Sequence, residues 1–139
     1  MADARDARPP RPLHLVLELL PDTLAICRLA PGSPLPKWAT PGNHFLTLSW
    51  TDEELSITTL QRLVPPEVKC ERDYRALRVR GPLAMNLVGI LASIADPLAE
   101  AKISIFAIST FDTDYVLVKA RDLEAAIGAL ERAGHEVVQ

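Results

Sequence analysis

The amino-acid sequence predicts an α+β fold built of antiparallel sheet with helices on one face, and two observations carry this. From Tyr74 to the end, segments of period two and period 3.6 follow one another as strand, helix, strand, strand, helix, strand, which is the split βαβ or ferredoxin-like (βαββαβ) order. Between Leu13 and Leu60 the apolar residues alternate with polar ones, and prolines interrupt the rest, so that half has room for at most one short helix.

Composition narrows the class of protein. The 139 residues suffice for one domain or two half-sized units, and a chain of this length buries about 68–70% of its unfolded surface, so a core forms without staples. A hydrophobic fraction of 48% with 24% charged residues excludes disorder over most of the chain. Net charge is -3 and no Lys/Arg cluster is interleaved with aromatics, which excludes the electrostatic footprint of a nucleic-acid binder. Met1 to Pro12 has no apolar signal region, and no apolar run approaches the roughly 18 residues of a membrane span. The expectation is a cytoplasmic protein with no membrane partner. Cys27 and Cys70 lie far apart in sequence, neither at metal-ligand spacing from another ligand, and they read as two reduced thiols. His14, His44 and His135 are equally scattered, so neither a metal nor a cofactor is expected.

In chain order, residues 1–12 are charged and Pro-rich and read as a disordered tail. Leu13, Leu15, Leu17 and Leu19 give the next segment, Leu13 to Leu20, one all-leucine face. Pro21-Asp22 reads as a turn, with Leu24 to Leu29 pairing back as a hairpin. Four prolines between Ala30 and Gly42 forbid a long regular element there. Phe45 to Trp50 and Leu55 to Leu60 are the next strands, flanking the acidic turn 51–54, and Ser56, Thr58 and Thr59 mark the second as an edge or as turned to water. Val64-Pro-Pro66 is the boundary, giving units 13–64 and 67–139.

In the second unit Tyr74 to Arg80 alternates Leu77 and Val79 with Ala76, Arg78 and Arg80, and Gly81-Pro82 stops it. Leu87, Ile90, Leu91, Ile94, Leu98 and Ala101 recur at helical spacing from an N-cap at Asn86, and Pro97 predicts a kink or a broken last turn. Ile103 to Thr110 and Tyr115 to Val118 are strands joined by a polar turn. Asp122 caps a second helix with Leu123, Ile127 and Leu130 on one stripe, Gly134 stops it, and His135 to Val138 is a last strand. In the βαββαβ order the Tyr115 strand lies between the Tyr74 and Ile103 strands. The Ile103 strand is then an apolar edge that calls for a covering unit.

The motifs Gly81-Pro-Leu83, Val88-Gly-Ile-Leu91, Pro97-Leu-Ala99, Ile103-Ser-Ile-Phe106 and Ser109-Thr-Phe-Asp-Thr-Asp-Tyr115, in this order, resemble those of tandem ACT-domain proteins. The resemblance is to small bacterial members related to the eukaryotic cytosolic arginine sensor and to aspartate kinase regulatory domains. It covers most of Tyr74 to Val138 and is weaker before that, where Asp52-Glu-Glu-Leu-Ser56 is similar to the family. It implies two ferredoxin-like ACT units in tandem, the first degenerate. It also implies allosteric sensing: a free amino acid or similar small ligand bound where two units pack, a homodimer, and a regulated enzyme or partner that reads occupancy. The ligand positions it implies are Asn86, Leu87, Val88, Gly89 and Ile90 at the entry to the first helix, with Ser109, Thr110, Phe111, Asp112, Thr113 and Asp114 after the following strand.

Physical reasons stand beside the resemblance. Free N–H groups at a helix start suit a ligand carboxylate, Gly89 admits close approach to that backbone, and Asp112 or Asp114 suits an ammonium or cationic side chain. Thr110 offers a hydroxyl and Phe111 an apolar wall. Taken alone, Asp112-Thr-Asp114 is a solvated turn, Gly89 is equally a packing glycine, and Phe111 is core. The ordered motifs assign Asp114 and Gly89 to ligand binding and leave Asp112 between the two readings. No Ser/His/Asp arrangement, phosphate loop or His/Cys cluster points to catalysis, so the expectation is a regulatory protein and not an enzyme. The rival reading is a ligand-independent module for dimerisation or partner binding.

Overall fold

The chain's first strand is longer than its sequence pattern suggests. In the computed structural model, which describes residues 13–83 and 88–139, β1 runs unbroken over Val16–Leu29. The hairpin expected at Pro21-Asp22 is absent, because β4 (Cys70–Val79) pairs antiparallel with both ends of β1 and holds it as one strand. Pro21 and Asp22 sit in a register shift between the Leu19/Leu77 and Thr23/Arg75 pairs. A bulge tolerates a residue without an N–H, and the Arg75 guanidinium donates to the Leu20 carbonyl there at 3.1 Å.

Seven strands form one sheet in the order β2-β3-β1-β4-β6-β5, with β7 paired to β1. Here β2 is Leu46–Trp50, β3 Leu55–Leu60, β5 Phe106–Ser109, β6 Asp114–Lys119 and β7 Glu136–Val138. As expected, β6 lies between β4 and β5, and β5 is an edge. A lone βαββαβ unit would set its last strand beside its first. In this chain β7 instead runs parallel to Val16, Leu17 and Glu18, so the start of β1 occupies that place between β7 and β4. Farther along, β1 turns the same edge to β3, from Leu24 to Leu29. One strand thus belongs to both halves of the sheet.

β3 is not an edge strand, contrary to the hydroxyl-rich pattern. It lies between β2 and β1 with Thr58 and Thr59 buried, and the Thr59 hydroxyl donates to the Phe45 carbonyl at 2.9 Å. Ile103 and Ile105 fall outside β5: they precede it as a connection packed against the helices, because Lys102 takes a left-handed conformation (φ 60°) that ends the helix before them. The half-buried Phe106 and Ile108 of β5 are covered from within the chain. The sheet curls until Phe45 meets Tyr115 edge-on with ring centroids 5.1 Å apart.

Both helices, α1 (Ile90–Glu100) and α2 (Leu123–Arg132), lie on one face. Ile90, Ile94 and Leu98 of α1 and Ala126, Ala129 and Leu130 of α2 pack with Leu15, Leu17, Leu77, Val79, Val116 and Val118. The α1 start expected near Asn86 falls at Ile90; Asn86 itself, like the predicted tail, lies outside the described residues. Asp122 precedes α2 after a 3-10 turn at Ala120–Asp122 but makes no side-chain cap bond, so its predicted capping role fails. Gly134 does end α2, with φ 98°: its N–H donates to Glu131 O and that of His135 to Leu130 O, both at 3.0 Å.

Pro97 leaves α1 intact through Glu100 instead of breaking its last turn. Proline at 97 removes the amide that would bond the Ser93 carbonyl. The buried His135 takes that carbonyl instead. Its Nδ1 accepts the Leu15 N–H at 3.1 Å, which puts the ring proton on Nε2, and Nε2 donates to Ser93 O at 2.8 Å. A single imidazole therefore ties the lead-in to β1, the middle of α1 and the end of α2. His135→Ala leaves two buried backbone groups unpaired and is expected to cost about 2–4 kcal/mol in urea unfolding. Pro97→Ala restores an N–H to Ser93 O, so it is expected to recover roughly 1 kcal/mol more in the His135→Ala background than in the parent. Equal effects in the two backgrounds would refute this link.

Candidate functional site

The start of α1 and the loop between β5 and β6 face each other across a cleft of about 330 Å³. Its lining is Leu83, Gly89, Ile90 and Leu91 on one side and the run Ser109 to Asp114 on the other. The volume lies at the small end of the range for small-ligand sites. Of the sequence-predicted positions, Gly89, Ile90, Ser109, Thr110, Phe111, Asp112, Thr113 and Asp114 line this cleft together. Val88 does not line it and is 85% exposed, while Asn86 and Leu87 lie outside the described residues. Leu83 and Leu91 also line the cleft and were missed as site residues, although both stand in motifs the sequence displays.

Gly89 sets the helix start. Its φ of 84° and ψ of 8° are left-handed, which favours glycine, and a Cβ there would meet nothing within 4 Å. Conformation, not packing, is thus the constraint at this position. No side chain among the described residues caps the helix: the first intrahelical bond runs from Ser93 N–H to Gly89 O at 2.9 Å. The amides of Ile90 and Leu91 belong to the uncapped first turn and carry the positive end of the helix dipole.

The opposite wall is held by its own hydrogen bonds. Thr113 is buried, and its hydroxyl donates to the Val79 carbonyl at 2.5 Å, pinning the loop to the end of β4. Thr110 donates to Thr113 O from its N–H at 2.9 Å and from its hydroxyl at 3.1 Å. The Leu83 N–H donates to Asp112 O at 2.7 Å, close beside Gly81, where a Cβ would lie a tight 3.1 Å from the same oxygen. Asp112 makes this contact through its backbone, and the residue itself is exposed. Asp114 accepts a hydrogen bond from the Ser109 hydroxyl at 2.6 Å, which orients its carboxylate at the cleft. Phe111, 81% exposed, is neither core nor a closed wall but stands at the rim.

One cleft therefore presents both polarities, helix-start amides opposite two carboxylates, between the apolar Leu83, Ile90 and Leu91. No group of His, Cys, Asp and Glu among the described residues could hold a metal.

Comparison with known proteins agrees with this architecture. The ACT-domain family model matches residues 69–132, and a second model, for an N-terminal domain, matches residues 22–67. A solved protein from Agobacterium tumefaciens is 35% identical, with a TM-score of 0.84 over 91% of this chain and 93% of its own. The chain belongs to the ACT-domain proteins, with the ACT domain in its second half. It is 43% identical over 60 residues to the human cytosolic arginine sensor for mTORC1, subunit 1; the match spans 42% of this chain but only 18% of the sensor. In fold it is similar to the regulatory subunit of aspartate kinase from Thermus thermophilus (TM-score 0.51, 14% identity, 81% of this chain and 93% of that one).

If Thr113 frames the site and Asp114 faces the ligand, their substitutions separate in urea unfolding. Thr113→Val, which strands the buried Val79 carbonyl, is expected to lose about 1–2 kcal/mol. Asp114→Asn is expected to stay within about 0.5 kcal/mol of the parent.

Proposed function

We propose that this chain is a sensor of a free amino acid or similar small ligand, without catalysis of its own. The observation that supports this most is the juxtaposition of the uncapped α1 start with Asp112 and Asp114 across one cleft. In this reading the first-turn amides, with Gly89 leaving their approach open, bind the ligand's carboxylate. Asp114, held by Ser109, takes the ammonium or a cationic side chain, and Leu83, Ile90 and Leu91 contact the aliphatic part. The sequence-predicted Asn86 and Leu87 lie outside the described residues, Val88 stands exposed next to Gly89, and Asp112 is a second, weaker carboxylate partner. Likeness to an arginine sensor and to aspartate kinase regulatory domains supports a regulatory role, and capture on this chain is the route to the regulated enzyme or partner.

The same reading divides the chain into a degenerate ACT-like unit, 13–64, and an ACT domain, 67–139, working in the cytoplasm as a homodimer. Exposed apolar residues beside the cleft, Val88 and Phe111, support a second copy covering it. No helix among the described residues is long and apolar enough to cross a membrane.

Calorimetric titration with the twenty amino acids is expected to show saturable binding of one or a few. Asp114→Ala should weaken it about tenfold, the loss of one charge-assisted hydrogen bond. Light scattering after size exclusion should give a dimer. Absence of binding to any amino acid, together with a dimer, would favour a ligand-independent interaction module instead.

A further inference from the structure

The fold brings the two cysteines, 43 residues apart in sequence, into direct contact. Cys27 of β1 and Cys70 of β4 are partners across the antiparallel ladder, with their Sγ atoms 3.0 Å apart, and both are free thiols. The Arg28 N–H donates to Lys69 O, which makes 28 and 69 the hydrogen-bonded pair and leaves 27 and 70 at the adjacent non-hydrogen-bonded position. Opposed Cα atoms there are about 4.5 Å apart, within the span a disulfide requires. The sulfurs need to approach from 3.0 Å to a bond length of about 2.05 Å.

We propose that Cys27 and Cys70 form a reversible oxidation site, in which a low-molecular-weight disulfide converts the two thiols into a cross-strand bridge between β1 and β4. The two sulfurs have different parts. Cys27 is buried, among Ala25, Leu55, Ile57 and Val64, and burial first, then the adjacent Cys70 thiol, push its pKa up to about 12, while Arg72 pulls the other way. Cys70 is partly exposed at the start of its strand and is the sulfur that an oxidant reaches. Its thiolate attacks one sulfur of the oxidant, whose S–S bond breaks and releases one thiol. Cys27 then gives up its proton and attacks Cys70 Sγ, expelling the second thiol. The protein loses two electrons and two protons, and the oxidant gains them as two free thiols. Because β1 serves both halves of the sheet, the bridge fastens the first half to the second at the strand they share.

Oxidised glutathione added to the full chain tests this. Alkylation with iodoacetamide under denaturing conditions is expected to label two cysteines before treatment and none after it, in a monomer-sized chain carrying no glutathione. The melting temperature should rise by roughly 5–10 °C, from loop closure in the unfolded chain, and dithiothreitol should reverse both effects. Cys70→Ser, at the more exposed position, should abolish the rise and leave Cys27 reactive on denaturation; Cys27→Ala should leave glutathione on Cys70. Two labelled cysteines after treatment of the parent, a stable mixed disulfide on it, a bridge between chains, or the same rise in Cys70→Ser would overturn the proposal.

Discussion

The pairing of β1 with both β4 and β7 is the constraint on which the rest of this structure depends. Its first residues supply the neighbour that β7 needs, and its last ones carry β3 and through it β2. Between these ends, β4 holds it across the bulge at Pro21. Leu15 and Leu17 enter the core under the helices, Leu24 the core inside the curled sheet, and Cys27 the core of the first half. The two halves are therefore not two beads on a linker. Neither has a complete sheet without this strand.

The residue leading into this strand fixes the cleft at one remove. Leu15 engages His135, His135 engages Ser93 in the second turn of its helix, and Ser93 bonds back to Gly89 and Ile90 through its N–H and hydroxyl. The helix start that faces the cleft is thus referred to the sheet by a short chain of hydrogen bonds. On the other wall Thr113 refers the β5–β6 loop to the end of β4. Both walls rest on neighbouring central strands, which sets Gly89 and Ile90 opposite Asp112 and Asp114 across the cleft. In the proposed sensor, a frame of this kind favours preorganised binding over induced order.

Much of this was legible in the sequence, and the failures share a cause. Local chemistry was decisive where neighbours agreed with it: Gly134 ended α2, Gly81-Pro82 ended β4, and the leucines at 15 and 17 found the core. Ser109 to Asp114 and Gly89-Ile90 were found as two walls because ordered motifs linked segments that periodicity alone could not join. Where the sequence misled, a partner distant along the chain decided the outcome. Pro21-Asp22 has the chemistry of a turn, yet β4 keeps the strand whole. Thr58 and Thr59 look like an edge, yet β1 and β2 flank them. Pro97 looks like a break, yet His135 takes the carbonyl it frees. Cys27 and Cys70 look unrelated, and strand register makes them neighbours. Leu83 and Leu91 escaped notice because nothing local separates a cleft-lining leucine from a core one.

The most direct measurement of the central claim is an NMR titration of the isotopically labelled chain with free amino acids, following every backbone amide. If the cleft is the sensing site, shifts will concentrate at Gly89, Ile90, Leu91 and Ser109 to Asp114, and they will saturate together with one affinity. Shifts confined to the first half of the chain, or none with any amino acid, would contradict it.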